Sequence, residues 1–197
     1  MEFGEFFGGI QTVDLLLVLY FMGFFVLGFA QGTIRRLIGI GSILFSFFFA
    51  ANLAEPLGEF LGANWTQFPK EYSYMIGFLT VFVAAALAFA LVAQGWYKPQ
   101  PLFEKARFVD EILGGFLGLV QAGLILGCLV VILGTFFEIP TIAPDAQEIS
   151  FLRDLWDALE TSAIVDTFQD TLIPAFFAVT GFLVPAEIVA QYRGTSG

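Results

Sequence analysis

Four long stretches without a single charged residue dominate this chain, and charged residues lie on both sides of each. They cover residues 15–34, 37–54, 72–97 and 112–137 and are 18 to 26 residues long. A hydrocarbon core about 30 Å thick needs ~20 apolar residues in a helix. The stretches therefore predict four transmembrane helices, at about 13–33, 37–54, 72–97 and 112–137.

The overall composition favours a membrane protein over a soluble domain. Hydrophobic residues make up 58% of the 197 residues and charged residues only 13%, whereas soluble domains are about 25% charged. We predict an all-α integral membrane protein in which residues 1–138 form a bundle of four transmembrane helices. Residues 139–197 are expected to form an acidic, amphipathic helical tail.

A shorter uncharged stretch at 171–186 leaves the path of the tail open. It contains Pro174, Gly181 and Pro185, and proline removes a backbone donor and crowds the preceding turn. The stretch is short for a span. We therefore expect a re-entrant or interfacial segment here, with a fifth span as the alternative.

The residue types present exclude several kinds of site. The chain has no histidine and one cysteine, Cys128, so it has no intrachain disulfide and lacks the ligands of histidine or multi-cysteine metal sites. No serine–histidine pair is possible, and no acidic residue lies within the four uncharged stretches. The sequence predicts no catalytic, cofactor-binding or metal site, and the net charge of −10 argues against nucleic acid as a partner.

The basic residues predict the orientation in the membrane. Lysine and arginine in short loops favour the cytoplasmic side. Five of the eight basic residues lie between the first and second or the third and fourth stretches. We expect Arg35, Arg36, Lys105 and Arg107 to act as cytoplasmic anchors. The N-terminus and the C-terminal tail would then be extracytoplasmic, with Asp14 as the N-cap of the first span.

Small residues recur at a spacing of four, which lets helix backbones approach closely in a membrane. The first span contains Gly28 and Gly32, and the fourth contains Gly114 and Gly118 followed by Gly123 and Gly127. These glycines predict helix packing, either within one chain or between copies in a homo-oligomer.

The first and fourth spans share a polar motif. LGFAQG at 27–32 and LGLVQAG at 117–123 each carry a glutamine one turn after a glycine. Gln31 and Gln121 would both lie toward the cytoplasm and face one another. One interpretation is a hydrogen bond between helices, and the other is a polar cavity open to the cytoplasm.

The tail contains an acidic amphipathic helix. Leu152, Trp156 and Leu159 follow helical spacing, with Asp154 and Asp157 on the other side. Since the negative face gains nothing from anionic lipid, we expect the helix to pack on the outer end of the bundle or to meet a partner protein.

Together these motifs resemble the colicin V production protein family of bacterial inner-membrane proteins. The similarity extends over about residues 13–174. The matching residues are Val13–Asp14, Gly28-x-x-Gln31-Gly32 with Arg35 or Arg36, Gly39, Ala50 or Ala51, Arg107, Asp110, Leu113–Gly114, Gly118-x-x-Gln121, Ser162-x-Ile164 and Pro174. The family often has a basic residue where Gln31 and Gln121 stand, and an Asp-Arg pair where this chain has Val109–Asp110–Glu111.

The resemblance implies a four-span inner-membrane protein without established enzymatic activity, linked to toxin export and envelope integrity. Some relatives carry an extracytoplasmic serine-protease domain after the last span.

Two functions remain open from the sequence. The first is an oligomerising scaffold or accessory factor in envelope homeostasis or peptide export, whose acidic tail meets an envelope or export protein. The second is a small channel or transporter with a polar cytoplasmic vestibule near Gln31 and Gln121. Ionisable residues inside the membrane would mark such a pathway, and the four uncharged stretches contain none.

Overall fold

A computed structural model describes residues 11–64, 70–96, 106–137, 150–186 and 188–189 of the chain. Within these ranges the regular secondary structure is helical throughout, without a β-strand.

Four long helices correspond to the four apolar stretches, and each is long and apolar enough to cross a membrane. The prediction of an all-α protein with four such helices is confirmed. Each helix begins before its uncharged stretch, and the second also continues past it, because a helix can extend beyond its apolar part into the membrane interface. The four are α1 (Thr12–Gln31), α2 (Thr33–Asn64), α3 (Lys70–Trp96) and α4 (Arg107–Phe137).

A single residue, Gly32, separates α1 from α2. Its φ of 77° lies in the left-handed region, which costs other residues about 1–2 kcal/mol. Its N–H donates to the Gly28 carbonyl at 2.9 Å and closes the end of α1. The expected turn is therefore one residue long, and Arg35 and Arg36 lie in the first turn of α2 instead of in a loop.

The helices do not pack in the order of the sequence. α4 packs against both α1 and α2, and α2 packs in turn along α3, whereas α1 and α2 barely touch beyond their shared turn. α4 therefore lies between α1 and α2, and α3 lies on the far side of α2. Several aromatic residues fill the core between these elements; Phe47 packs edge-on against Phe78, at 5.8 Å between ring centroids.

Short helical pieces follow the bundle in the described part of the chain. They include α5 (Ser150–Glu160), α6 (Ala163–Thr167), a π-helix (Phe168–Leu172), α7 (Ile173–Thr180) and a 3₁₀ turn (Gly181–Leu183). The π-helix has a local cause. Pro174 cannot donate to the carbonyl four residues earlier and would crowd it, and the widened turn has instead a bond from the Ile173 N–H to the Phe168 carbonyl.

The amphipathic helix α5 lies against the end of α4. Trp156 is buried and stacks on Phe137, with 6.4 Å between ring centroids. Asp154, Asp157 and Glu160 are exposed on the other side. The segment between α4 and α5, residues 138–149, lies outside the described residues.

Candidate functional site

The closest approach in the bundle joins α1 to α4 through glycines. A Cβ atom at Gly28 would overlap the backbone carbonyl of Gly114, and a Cβ at Gly118 would overlap the carbonyl of Phe24. Only glycine fits at these positions unless the helices separate. Gly28, Gly114 and Gly118 thus pack α1 on α4 within one chain.

The two later glycines of α4 face a different neighbour. A Cβ at Gly123 or Gly127 would lie 3.6 or 3.8 Å from the ring of Phe168, which is ordinary van der Waals contact. These glycines therefore adjoin the C-terminal helical segment instead of another long helix.

A buried arginine lies one turn into α2 and contacts α4. The Arg36 side chain is only 5% exposed. Its Nη1 donates to Gln121 Oε1 at 2.6 Å, a short and charge-assisted bond. The guanidinium also lies 5.7 Å from the ring centroid of Phe24, within cation–π distance. Among the described residues, its buried Nε has no hydrogen-bond partner.

Gly39 makes room for the amide that binds this arginine. A Cβ at Gly39 would lie 2.8 Å from Gln121 Nε2, closer than real Cβ contacts come. Arg36 and Gly39 are three residues apart and therefore lie on the same face of α2. Arg36 and Gly39 together form the site on α2 that contacts the Gln121 side chain of α4. We call Arg36, Gly39 and Gln121 the arginine–glutamine clamp.

The expected meeting of the two glutamines is replaced by this clamp. Gln31 is exposed at the last residue of α1, and the oxygen of Gln121 accepts from Arg36 instead. The reason is the left-handed break at Gly32, which turns the first residues of α2 toward α4. The sequence feature that came closest to indicating this clamp was the adjacent pair Arg35 and Arg36. Of the two, Arg36 is buried in the clamp and Arg35 is exposed.

The start of α4 adds polar contacts beside the clamp. Thr33 Oγ1 donates to the Asp110 carbonyl at 3.0 Å, and both residues are buried. A Cβ at Gly32 would lie 2.6 Å from Asp110 Oδ2, so this carboxylate lies directly against the turn between α1 and α2.

Of the other predicted anchors, Arg107 is not part of the clamp. Arg107 is 85% exposed and pairs with Glu111 at 2.9 Å; exposed pairs of this kind contribute only about 0–1 kcal/mol. Lys105 lies outside the described residues.

A second polar contact joins the start of α1 to the C-terminal region. Ser162 is fully buried and its hydroxyl donates to Asp14 Oδ1 at 2.5 Å. The Ser162 hydroxyl oxygen also accepts from the Val165 N–H and so caps α6. Asp14 lies in the first turn of α1, whose N-cap is Gln11, so it binds Ser162 instead of capping its own helix.

In the part of the chain that the structure describes, no group of three or more His, Cys, Asp or Glu side chains is placed to hold a metal ion.

Four long apolar helices, with glycine contacts between α1 and α4 and a buried arginine where α2 meets α4, define a multi-pass helical membrane protein. The sequence model of the colicin V production protein family matches residues 13–183, which is most of the chain. The chain belongs to this family, as the resemblance indicated, and the family is not a known enzyme family. No curated protein and no solved structure matches the chain.

Proposed function

We propose that the protein is a non-enzymatic accessory or scaffold protein of the bacterial inner membrane, acting in envelope homeostasis or peptide export. The observation that carries the proposal is the glycine contact of Gly28 with Gly114 and Gly118. It brings the backbones of α1 and α4 together, so no room is left between these two helices for a solute. This packing favours a protein that acts through its surfaces over one with a pathway between α1 and α4.

Surfaces for partners are available on the outer helices. Leu16 and Val26 of α1 are each about 60% exposed, and Leu87 and Leu91 of α3 are similarly exposed. The glycine face of α1 and α4 is already used within the chain. Self-association would therefore use the outward faces of α1 or α3, and the exposed acidic side of α5 would meet an envelope or export protein.

Cysteine cross-linking in membranes tests the scaffold proposal. In a Cys128→Ala background, Leu87→Cys and Leu91→Cys on α3 and Leu16→Cys on α1 should give disulfide-linked dimers on mild oxidation. Phe78→Cys, which replaces a buried side chain of α3, is the matched control and should not cross-link. Monomer from every outward position would contradict self-association.

The orientation proposed for this function has the N-terminus and the tail on the extracytoplasmic side. Arg35 and Arg107 are both exposed near the shared end of α1, α2 and α4, and arginine in short loops favours the cytoplasm. The α5 contact of Trp156 with Phe137 lies at the opposite end of α4.

The contacts of residues 162–183 support a re-entrant path. The turn at Gly32 between α1 and α2 is the cytoplasmic turn in this orientation. At about 1.5 Å per residue, Asp14 lies about 26 Å from it along α1, and Asn52 lies about 28 Å from it along α2. Ser162 binds Asp14, and the Leu183 carbonyl accepts from Asn52 Nδ2 at 3.0 Å. Both ends of the segment therefore contact the bundle at the same depth. Phe168 lies deeper, against Gly123 and Gly127.

A channel is the second candidate, favoured by the buried guanidinium of Arg36. An ionisable residue inside a membrane protein is by default a candidate for a transport pathway. Reconstitution in liposomes with a pH-sensitive dye or a chloride probe tests this function. Flux that disappears in Arg36→Gln but persists in Arg35→Gln, its exposed neighbour, would support a channel, and wild-type vesicles as tight as empty ones would exclude it for these ions.

A further inference from the structure

An apolar cavity of about 530 Å³ lies between α4 and the C-terminal segment. Phe21 of α1 and Phe47 of α2 close two of its sides, and Gly123 and Gly127 form the surface on α4. Phe168 and Phe176 of the C-terminal segment lie across from them, and every other lining side chain is aliphatic apart from the thiol of Cys128.

The cavity lies deep in the membrane-spanning part of the bundle. Phe21 is the tenth residue before Gln31, so it lies about 15 Å along α1 from the cytoplasmic turn. That is half the thickness of a hydrocarbon core of about 30 Å. The bilayer at this depth consists of acyl chains.

Water is a poor occupant for this space. An ordered buried water needs two to four polar partners, whereas apolar cavities stay dry and bind apolar molecules. The walls offer no side-chain oxygen or nitrogen, since the lining residues are phenylalanine, leucine, valine, isoleucine, glycine and one cysteine.

The cavity is continuous with the surface that faces lipid. Val120 and Leu172 both line it, and they are 51% and 48% exposed. A hydrocarbon chain of the surrounding bilayer can therefore pass from the outer surface of the bundle into the cavity without crossing a polar group.

One wall of the cavity is the π-helix. Phe168 and Leu172, the two ends of this five-residue element, both line the space. π-helical turns are rare and occur frequently at functional sites. Here the wider turn places both side chains on the wall of the cavity, while Ser162 and Leu183 bind the bundle at the two ends of the segment.

We propose that this cavity binds one acyl chain of a membrane phospholipid. An apolar cavity of about 150 Å³ holds one benzene ring, so this cavity has room for roughly three times as much hydrocarbon, close to one long acyl chain. The bound chain joins α4 to the C-terminal segment and stabilises that segment.

Native mass spectrometry of the purified protein with added phosphatidylglycerol tests the proposal. Wild type should retain one lipid under conditions that remove the others. Gly123→Leu fills the space next to Phe168 and should lose this lipid. Gly41→Leu is the matched control, because a Cβ there meets nothing within 4 Å, and it should keep the lipid. Loss in both variants, or in neither, would overturn the proposal.

A labelling experiment on the unaltered chain covers the case in which Gly123→Leu does not fold. Phosphatidylglycerol with a photoreactive diazirine in its acyl chain is added at one equivalent per protein and irradiated. Adducts should concentrate on residues 119–131 and 168–176. Adducts spread over the exposed faces of α1 and α3, with none in these two ranges, would refute an acyl-chain site and leave the scaffold proposal unaffected.

Discussion

The clamp between α2 and α4 gives a prediction whose size follows from its geometry. Hydrogen bonds between helices in membranes contribute about 0.6 kcal/mol on average and at most about 1.7. A charge-assisted bond is roughly twice as strong as a neutral one, and the 2.6 Å separation of Arg36 Nη1 and Gln121 Oε1 is short. We therefore expect a coupling free energy of about 1.5 kcal/mol, which is about tenfold in the unfolding equilibrium.

A double-mutant cycle measures this coupling. Gln121→Leu removes the acceptor and leaves the buried guanidinium of Arg36 unpaired, so it should lower the free energy of unfolding. Arg36→Met together with Gln121→Leu replaces both partners by apolar groups, and the pair should be less destabilised than the sum of the single changes.

Reversible unfolding in mixed detergent micelles, followed by circular dichroism, supplies the four free energies. Arg35→Met, at the exposed neighbouring position, is the control and should show no coupling to Gln121→Leu. If Arg36→Met and Gln121→Leu add within about 0.5 kcal/mol, as independent sites do, the clamp does not stabilise the contact of α2 with α4.

Three further substitutions test the contacts that position the helices. Gly28→Val should separate α1 from α4 and lower the melting temperature in detergent sharply, whereas Gly23→Val, where a Cβ meets nothing, should change it little; equal effects would refute the close contact. Gly32→Ala combines a left-handed φ with a Cβ 2.6 Å from Asp110 Oδ2 and should cost about 1–2 kcal/mol or more in the free energy of unfolding; an unchanged midpoint would contradict the observed turn. Ser162→Ala removes both the N-cap of α6 and the bond to Asp14, and should lower the free energy of unfolding by about 1–2 kcal/mol. The loss should appear as faster proteolysis of the C-terminal segment. Thr161→Ala, at the exposed neighbouring position, should not change the rate of proteolysis.

The sequence was sufficient to predict the helices because their signal is local. Charge-free stretches of the right length directly predict apolar helices, and the family resemblance agreed with the match over residues 13–183. The amphipathic spacing around Trp156 likewise matches the helix Ser150–Glu160. Each of these inferences needed only neighbouring residues.

Neighbouring residues could not predict Arg36 as the partner of Gln121, because this contact depends on how α2 is rotated about its own axis. Adjacent arginines point in directions about 100° apart on a helix of 3.6 residues per turn. In the folded protein Arg36 is buried against α4 and Arg35 is exposed, an outcome set by the turn at Gly32 together with the packing of α2 on its neighbours.

The path of the C-terminal segment depends on contacts between distant residues. Ser162 and Asp14 are 148 positions apart, and Asn52 and Leu183 are 131 apart. The short uncharged stretch with its two prolines does not indicate these partners. The cavity beside it forms only when α1, α2, α4 and the C-terminal segment have packed together.

Cysteine accessibility in bacterial spheroplasts most directly tests the proposed arrangement in the membrane. Single cysteines replace Thr161, Ala186 and Arg107 in a Cys128→Ala background and are treated with a membrane-impermeant maleimide. We expect labelling at positions 161 and 186 in intact spheroplasts, and at 107 only after permeabilisation. Labelling of 186 only after permeabilisation would show a fifth span, and labelling of 107 in intact spheroplasts would reverse the whole topology.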